Sequence, residues 1–452
     1  MTSDSGEIRD RMARDHTLVR DELERLVRIP SVSAPGFDPA HVRASAEASA
    51  HTLEQAGCTG VRLLELDGAH PTVFGEASGP DGGGAPTVLL YAHHDVQPPG
   101  RAEDWESPPF QPVERDGRLY GRGTSDDKCG IVMHAAAIRA FGARPPVNVK
   151  VIVEGEEETG SEHLAQFLQA YGDLLAADVL VVADSGNWKL GVPALTTSLR
   201  GLVDCTVEVR ALTHAVHSGM FGGPVPDALT CLARVLAALH DDRGNVAVPG
   251  LVTGPAPDLD QEEVEFRAAA GMLPEVRLIG EGSITERTWA RPAVSVLGID
   301  APTIQESSNQ LVPVARARIS LRLAPGQDPA KALDALASHL EGSAPWGAQV
   351  RVTNGSEAHP FRIPATGPAH RAARRALGDA WGTDAVDIGM GGTIPLVAAL
   401  ADAYPEASLL LIGAGDPDCR AHGENESVDL GELERSCLAE ALLLSYLAEG
   451  TA

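Results

Sequence analysis

Five places in the chain carry side chains suited to binding cations or moving protons. They are His93-His94-Asp95, Asp126-Asp127, Glu156-Glu157-Glu158, Asp184, and His422-Gly-Glu-Asn-Glu. Four of them follow an apolar run: TVLLYA runs into His93, VKVIVEG into the three glutamates, VLVVA into Asp184, and LLLIGAG into the loop that reaches His422. The fifth, Asp126-Asp127, sits in the glycine-rich turn GRGTSDDK. Taken singly, each has a plainer reading: a hydrogen-bonded His-x-Asp pair, a solvated glutamate run, a helix cap at Asp184, or an exposed loop histidine. Taken together, they place carboxylates and imidazoles at one edge of one sheet, because ligands of open α/β sheets bind beyond the carboxyl ends of the strands. So many acids buried together need a compensating cation. Mixed histidine and carboxylate donors suit zinc, cobalt or manganese, whereas an all-oxygen set would suit magnesium or calcium. There are more carboxylates than one ion needs, which points to two ions with one acid bridging them.

The elements that must position these residues are legible as patterns. The opening segment has helical spacing at Met12, Leu18, Leu23, Leu26 and Val27, and stops near Ile29-Pro30. Apolar strand patterns at 87–91, 147–155 and 178–184 alternate with helical ones such as CGIVMHAAAIRAFGA, as expected of an α/β domain with a mostly parallel sheet. After Arg200 the character changes. GLVDCTVEVRAL, ARARISLRLAP and AQVRVTNG alternate like half-exposed strands, with helical runs at 226–240 and in DPAKALDALASHLEG. That is the signature of a smaller α+β domain with one open sheet face. The α/β pattern resumes with GPAHRAARRALGDAWG and ASLLLIGAG. The expected organisation is a first domain over 1–200 and 358–452, interrupted by an inserted second domain over 201–357.

Composition narrows the function classes. With 452 residues, 43% hydrophobic and 22% charged, the chain can fill two cores. A net charge of −27 repels nucleic acid and anionic membrane surfaces. No apolar run is long enough to argue a membrane span, and the charged start has no secretory h-region. Six scattered cysteines without a C-x-x-C pair fit reduced thiols and a cytoplasmic location.

The segments LLYAHHDVQP, YGRGTSDDKCG, EGEEETGS, VVADSGNW, HAVHSGMFGG, GGTIP and AHGENE occur in the order found in the M20 zinc peptidases, which the chain resembles over nearly its whole length. EGEEETGS, GRGTSDDK and HSGMFGG are most similar to the dipeptidase and carnosinase branch. The resemblance implies a catalytic domain carrying two divalent ions, zinc with manganese or cobalt as alternatives. It implies as well an inserted lid domain that forms a homodimer. His93, Asp126, Glu158, Asp184 and His422 match metal ligands, with Asp126 as the bridge. Asp95 matches the acid that orients His93, and Glu157 the general base. His217 matches a lid histidine that stabilises the oxyanion, supplied across the dimer in dipeptidase-like members. Arg322 matches a lid arginine that grips a substrate carboxylate, its alternative being an exposed strand salt bridge. Asn309 and Thr393 are further candidates for substrate contact.

The activity so implied is metal-dependent hydrolysis of an amide bond in a dipeptide or short peptide. An N-acyl-amino-acid deacylase shares the metal site and is the alternative. A non-catalytic binding protein of the same fold would have no need of Asp95 and Glu157. Two departures stand out. Cys129 occupies a position where relatives commonly have glycine, as a packing residue or as a thiol open to oxidation or soft metals. Gly389-Met390 replaces the Arg-Glu of the carnosinase-like pattern. His94 is expected to face away from the metal site, because neighbours in a strand alternate.

Overall fold

Runs of β-branched and aliphatic residues that are buried on both faces make parallel strands, and the middle of the first unit is built from such runs. The computed structural model describes residues 2–80, 84–255, 258–392 and 394–450; Thr393 therefore lies outside the described residues. Thr87–His93 pairs in parallel with Asn148–Glu154 on one side and Val179–Val182 on the other, and Ser408–Leu411 pairs in parallel with Val179–Val182. Val88, Leu89, Leu90, Ala92, Val151, Val153, Val181 and Val182 are fully buried, as the continuous apolar patterns require. The flanks are antiparallel. Thr59–Leu64 and Thr72–Ala77 extend the sheet beyond Asn148–Glu154, and Ala194–Leu199 lies beside Ser408–Leu411.

Register delivers the site. Within this sheet His93 lies opposite Glu154, Tyr91 opposite Val182, and Leu411 opposite Val182. The segments that follow all four parallel strands therefore emerge at one edge. Helix Lys128–Arg139 packs against the His93 strand, and helices Thr2–Val27 and Leu430–Glu449 pack in turn on it. All residues from Lys128 to Ile138 are buried, so this helix is enclosed on every side rather than amphipathic with a solvent face. Asp127 caps its start, accepting from the Gly130 amide at 3.2 Å. Gly130 has no substitute here, since a Cβ would stand 2.6 Å from the Asp127 carboxylate and 2.8 Å from Ala183. The buried Lys128 Nζ donates to the carbonyls of Leu26 and Ile29, both at 2.8 Å. The end of the first helix is thereby tied to the Asp126 turn.

The chain divides into two compact units: one of residues up to Thr197, Ile363–Ile388 and the chain from Ile394 on; the other of Ser198–Arg362 with the short stretch that begins at Gly389. The second unit holds a four-stranded antiparallel sheet in the order Ala293–Asp300, Val314–Leu323, Gly201–Arg210, Gln349–Ala358. Val203, Cys205, Val207 and Val209 turn one way and are fully buried. Helices Ala228–Ala237 and Pro329–Gly342 cover that face. All six cysteines are free thiols. Among the described residues no helix is long and apolar enough to cross a membrane.

Candidate metal centre

Two ligand groups converge at the sheet edge of the first unit. His93, Asp126 and Asp184 offer donor atoms within 4.8 Å of one another, and so do Asp126, Glu158 and His422. Asp126 belongs to both. Its Oδ1 lies 3.0 Å from His93 Nε2 and its Oδ2 lies 3.0 Å from His422 Nε2, so its two oxygens face two different groups. His422 Nε2 is also 3.3 Å from Glu158 Oε2.

Each ligand is held from behind. Asp95 is fully buried at the end of the His93 strand. The His93 Nδ1 lies 3.1 Å from the Asp95 carbonyl and 3.3 Å from its carboxylate. Asp95 thus favours the tautomer with its proton on Nδ1 and leaves Nε2 to ligate. The other Asp95 oxygen accepts from Ser33 Oγ at 2.7 Å and from the Glu158 amide at 3.0 Å. Gln97 donates twice to the Glu158 carboxylate, from its backbone at 3.0 Å and its side chain at 2.8 Å. The peptide bond between Asp126 and Asp127 is cis.

The electrostatics are those of a crowded acid cluster. Burial pushes the Asp184 carboxyl up to about 7, reinforced by the neighbouring Asp126 charge. Burial likewise lifts Glu157 well above the usual carboxylate range, with Asp184, Glu158 and Asp126 adding repulsion. Hydrogen bonds to Asp126 and Glu158 raise His422 to about 10. For His93, burial opposes the charge, but the bonds to Asp126 and Asp95 outweigh it and raise it well above 6.5. Carboxylates this close need positive charge between them, and the imidazoles meet that need only by staying protonated. Divalent ions would meet it with the imidazoles neutral. The donor set of two histidines and three carboxylates, with one carboxylate facing both groups, fits a pair of such ions.

The other predicted residues are distributed as follows. Glu157 opens the short 3-10 turn Glu157–Thr159, next to the ligand Glu158. His94 is buried and points away, with Nε2 2.9 Å from the Pro71 carbonyl, and burial lowers it to about 4. Cys129 is fully buried, 3.1 Å from the Ser125 carbonyl, with burial pushing its thiol well up; it is a packing residue. His217, Asn309 and Arg322 lie in the second unit. His217 pairs with Gln310 across a two-stranded ribbon, and its Nδ1 accepts from the Gly219 amide at 3.0 Å. Asn309 is exposed beside it, and its backbone carbonyl accepts from the Ser218 amide at 3.0 Å. Arg322 lies near the end of the strand Val314–Leu323, opposite Ala293 and Leu202, with its guanidinium lowered by burial.

Sequence reasoning passed over Glu426 and Arg122. Both lie inside the motifs AHGENE and YGRGTSDDKCG, but a charged residue in a loop gives no sign that it is buried. Here Glu426 is 0% and Arg122 1% exposed, which places an ion pair inside the loops that carry Asp126 and His422.

The chain belongs to peptidase family M20/M25/M40, whose model matches residues 89–445. It is a hydrolase of that family, which implies divalent metal ions, and within it the chain falls in the branch of the dipeptidases and carnosinases. It is 35% identical over 435 residues to a cysteinylglycine-S-conjugate dipeptidase from Corynebacterium striatum, covering 94% of this chain and 95% of that protein. The structure of the dipeptidase Dug1p from Saccharomyces cerevisiae shares the fold with a TM-score of 0.84 at 23% identity, covering 99% of each chain. Human carnosine dipeptidase 1 matches with a TM-score of 0.82 at 25% identity, covering 98% of this chain and 99% of that one.

Proposed function

We propose that this chain is a metallodipeptidase that hydrolyses the amide bond of dipeptides bearing a free C-terminal carboxylate. The observation that carries the reading is Asp126, whose two oxygens face His93 and His422 in two ligand groups. His93, Asp126 and Asp184 would hold one divalent ion, and Asp126, Glu158 and His422 the other. Ions held there supply Lewis acidity toward water and the scissile carbonyl. Zinc suits the donor set, with manganese and cobalt as alternatives.

Glu157 is the proposed general base. Its position next to Glu158 and its raised affinity for a proton suit a group that takes a proton from the attacking water and gives it to the leaving amine. His217 is the proposed donor to the developing oxyanion. Arg322 is the proposed anchor of the substrate carboxylate, which a guanidinium binds through two parallel hydrogen bonds. Asn309 and Thr393 are proposed as accessory substrate contacts. We further propose a homodimer formed through the second unit, and a cytoplasmic location consistent with six free thiols.

The names of the relatives favour dipeptides over N-acyl amino acids. The test is hydrolysis of a panel holding Cys-Gly, β-Ala-His, other dipeptides and N-acetyl amino acids, with and without a chelator. Chelator-sensitive cleavage of dipeptides supports the proposal. Turnover of the acyl amino acids alone would move the chain to the deacylase reading.

A further inference from the structure

The buried pair Glu426–Arg122 touches both loops of the metal centre while contributing no ligand. Each Glu426 oxygen takes two donors. One accepts from Arg122 Nη1 at 2.7 Å and the Gly123 amide at 2.9 Å; the other accepts from the Ser125 amide at 2.9 Å and the Asp126 amide at 3.1 Å. Glu426 thereby fixes the backbone of the turn that presents Asp126. The second arm of Arg122 donates to the His422 carbonyl at 3.0 Å and reaches the Pro98 carbonyl at 3.4 Å. His422 has a φ of +64°, a conformation that a non-glycine residue keeps only when its surroundings hold it. The guanidinium lies over the Trp105 ring at 5.5 Å, which closes its other side.

We propose that Glu426 and Arg122 are positioning residues that set the separation of His422 from Asp126, and so govern how tightly the two ions are held. The inference rests on the two-ion reading given above. Groups that support metal ligands from behind typically change metal affinity by about 10- to 100-fold when removed, and this pair supports two ligands at once. The two residues differ in what they control. Glu426 holds Asp126, which both ions share, so its loss weakens both. Arg122 alone bonds the His422 carbonyl, so a change that spares its link to Glu426 weakens only the ion held by Asp126, Glu158 and His422.

Glu426→Gln keeps the shape but leaves an amide NH2 facing two donors, whichever way it is turned. Arg122→Lys keeps a charge beside Glu426, but its shorter stem and single ammonium lose the planar fork that holds Glu426 and the His422 carbonyl with separate nitrogens. The experiment titrates the full-length apo chain with cobalt(II) against a competing chelator, following visible absorption, with circular dichroism and thermal melting to verify the fold. Glu426→Gln is expected to weaken both cobalt ions by about 10- to 100-fold. Arg122→Lys should leave one ion at wild-type affinity and weaken the other at least about tenfold. Folded variants that lose thermal stability yet bind two ions with wild-type affinities would mark the pair as merely structural and overturn the proposal. If Glu426→Gln fails to fold, Arg122→Lys decides. A wild-type chain that binds no cobalt would instead bring down the two-ion reading, and this inference with it.

Discussion

Replacing Asp95 by asparagine tests how far one buried carboxylate controls ligation by His93. The wild-type carboxylate is fully buried: one oxygen accepts from Ser33 Oγ at 2.7 Å and the Glu158 amide at 3.0 Å, and the other makes an ion-pair contact with His93 Nδ1 at 3.3 Å. An asparagine can turn its carbonyl to Ser33 and Glu158, but its NH2 then faces His93 Nδ1. Either two N–H groups confront each other, or the imidazole moves its proton to Nε2, the atom facing Asp126. The Asp95 backbone carbonyl at 3.1 Å still favours a proton on Nδ1, which limits the damage. What is lost is the negative charge that supports the His93 ring from behind. Losing such support should cost roughly 10- to 100-fold in affinity for the ion ligated by His93. Zinc titration against a competing chelator measures it. Ser33→Ala is the control: it removes one donor, should cost about 1 kcal/mol of stability, and should leave zinc affinity nearly unchanged. Asp95→Asn binding zinc as tightly as wild type would refute the reasoning.

Glu157→Gln should lower turnover of a dipeptide by about 10²–10⁴-fold while metal content stays at the wild-type level; loss of metal along with activity would assign Glu157 to ligation instead. Arg322→Ala should raise KM for dipeptides with a free carboxylate, with little change for C-terminally amidated ones, as steady-state kinetics on both would show. His134 Nδ1 lies 2.8 Å from Glu440 in the buried core. Burial works against its charge, but Glu440 outweighs burial and raises it above the ordinary value of 6.5. A raised histidine contributes stability that is fully present below the unfolded-state pKa of about 6.5 and is lost as pH rises through the folded value. The stability advantage of wild type over His134→Asn, measured by urea unfolding, should therefore shrink between pH 6 and pH 9. An advantage that grew over that range would contradict the assignment.

Much of the fold was legible because the central strands bury both faces. Thr87–His93, Asn148–Glu154, Val179–Val182 and Ser408–Leu411 all fall within apolar runs read from the sequence. The flanking antiparallel strands were less visible. Thr59–Leu64 is largely exposed, with glycine and arginine breaking its apolar run, and Ala194–Leu199 mixes threonines with apolar neighbours. In the candidate site, residues that end strands could be placed, because a strand's direction fixes where its last side chain emerges. Glu426 and Arg122 could not, since their role depends on which backbone amides surround them, and no spacing in one sequence carries that. Gly389-Met390 departs from the carnosinase-like pattern, and nothing in the structure explains the change.

The sharing of Asp126 is the centre of the account, and metal stoichiometry tests it most directly. Elemental analysis of the purified wild-type chain, prepared without chelator, should give two divalent ions per chain, and Asp126→Ala should lose both together. A wild-type chain with a single ion, or an Asp126→Ala variant that keeps one at full affinity, would contradict it.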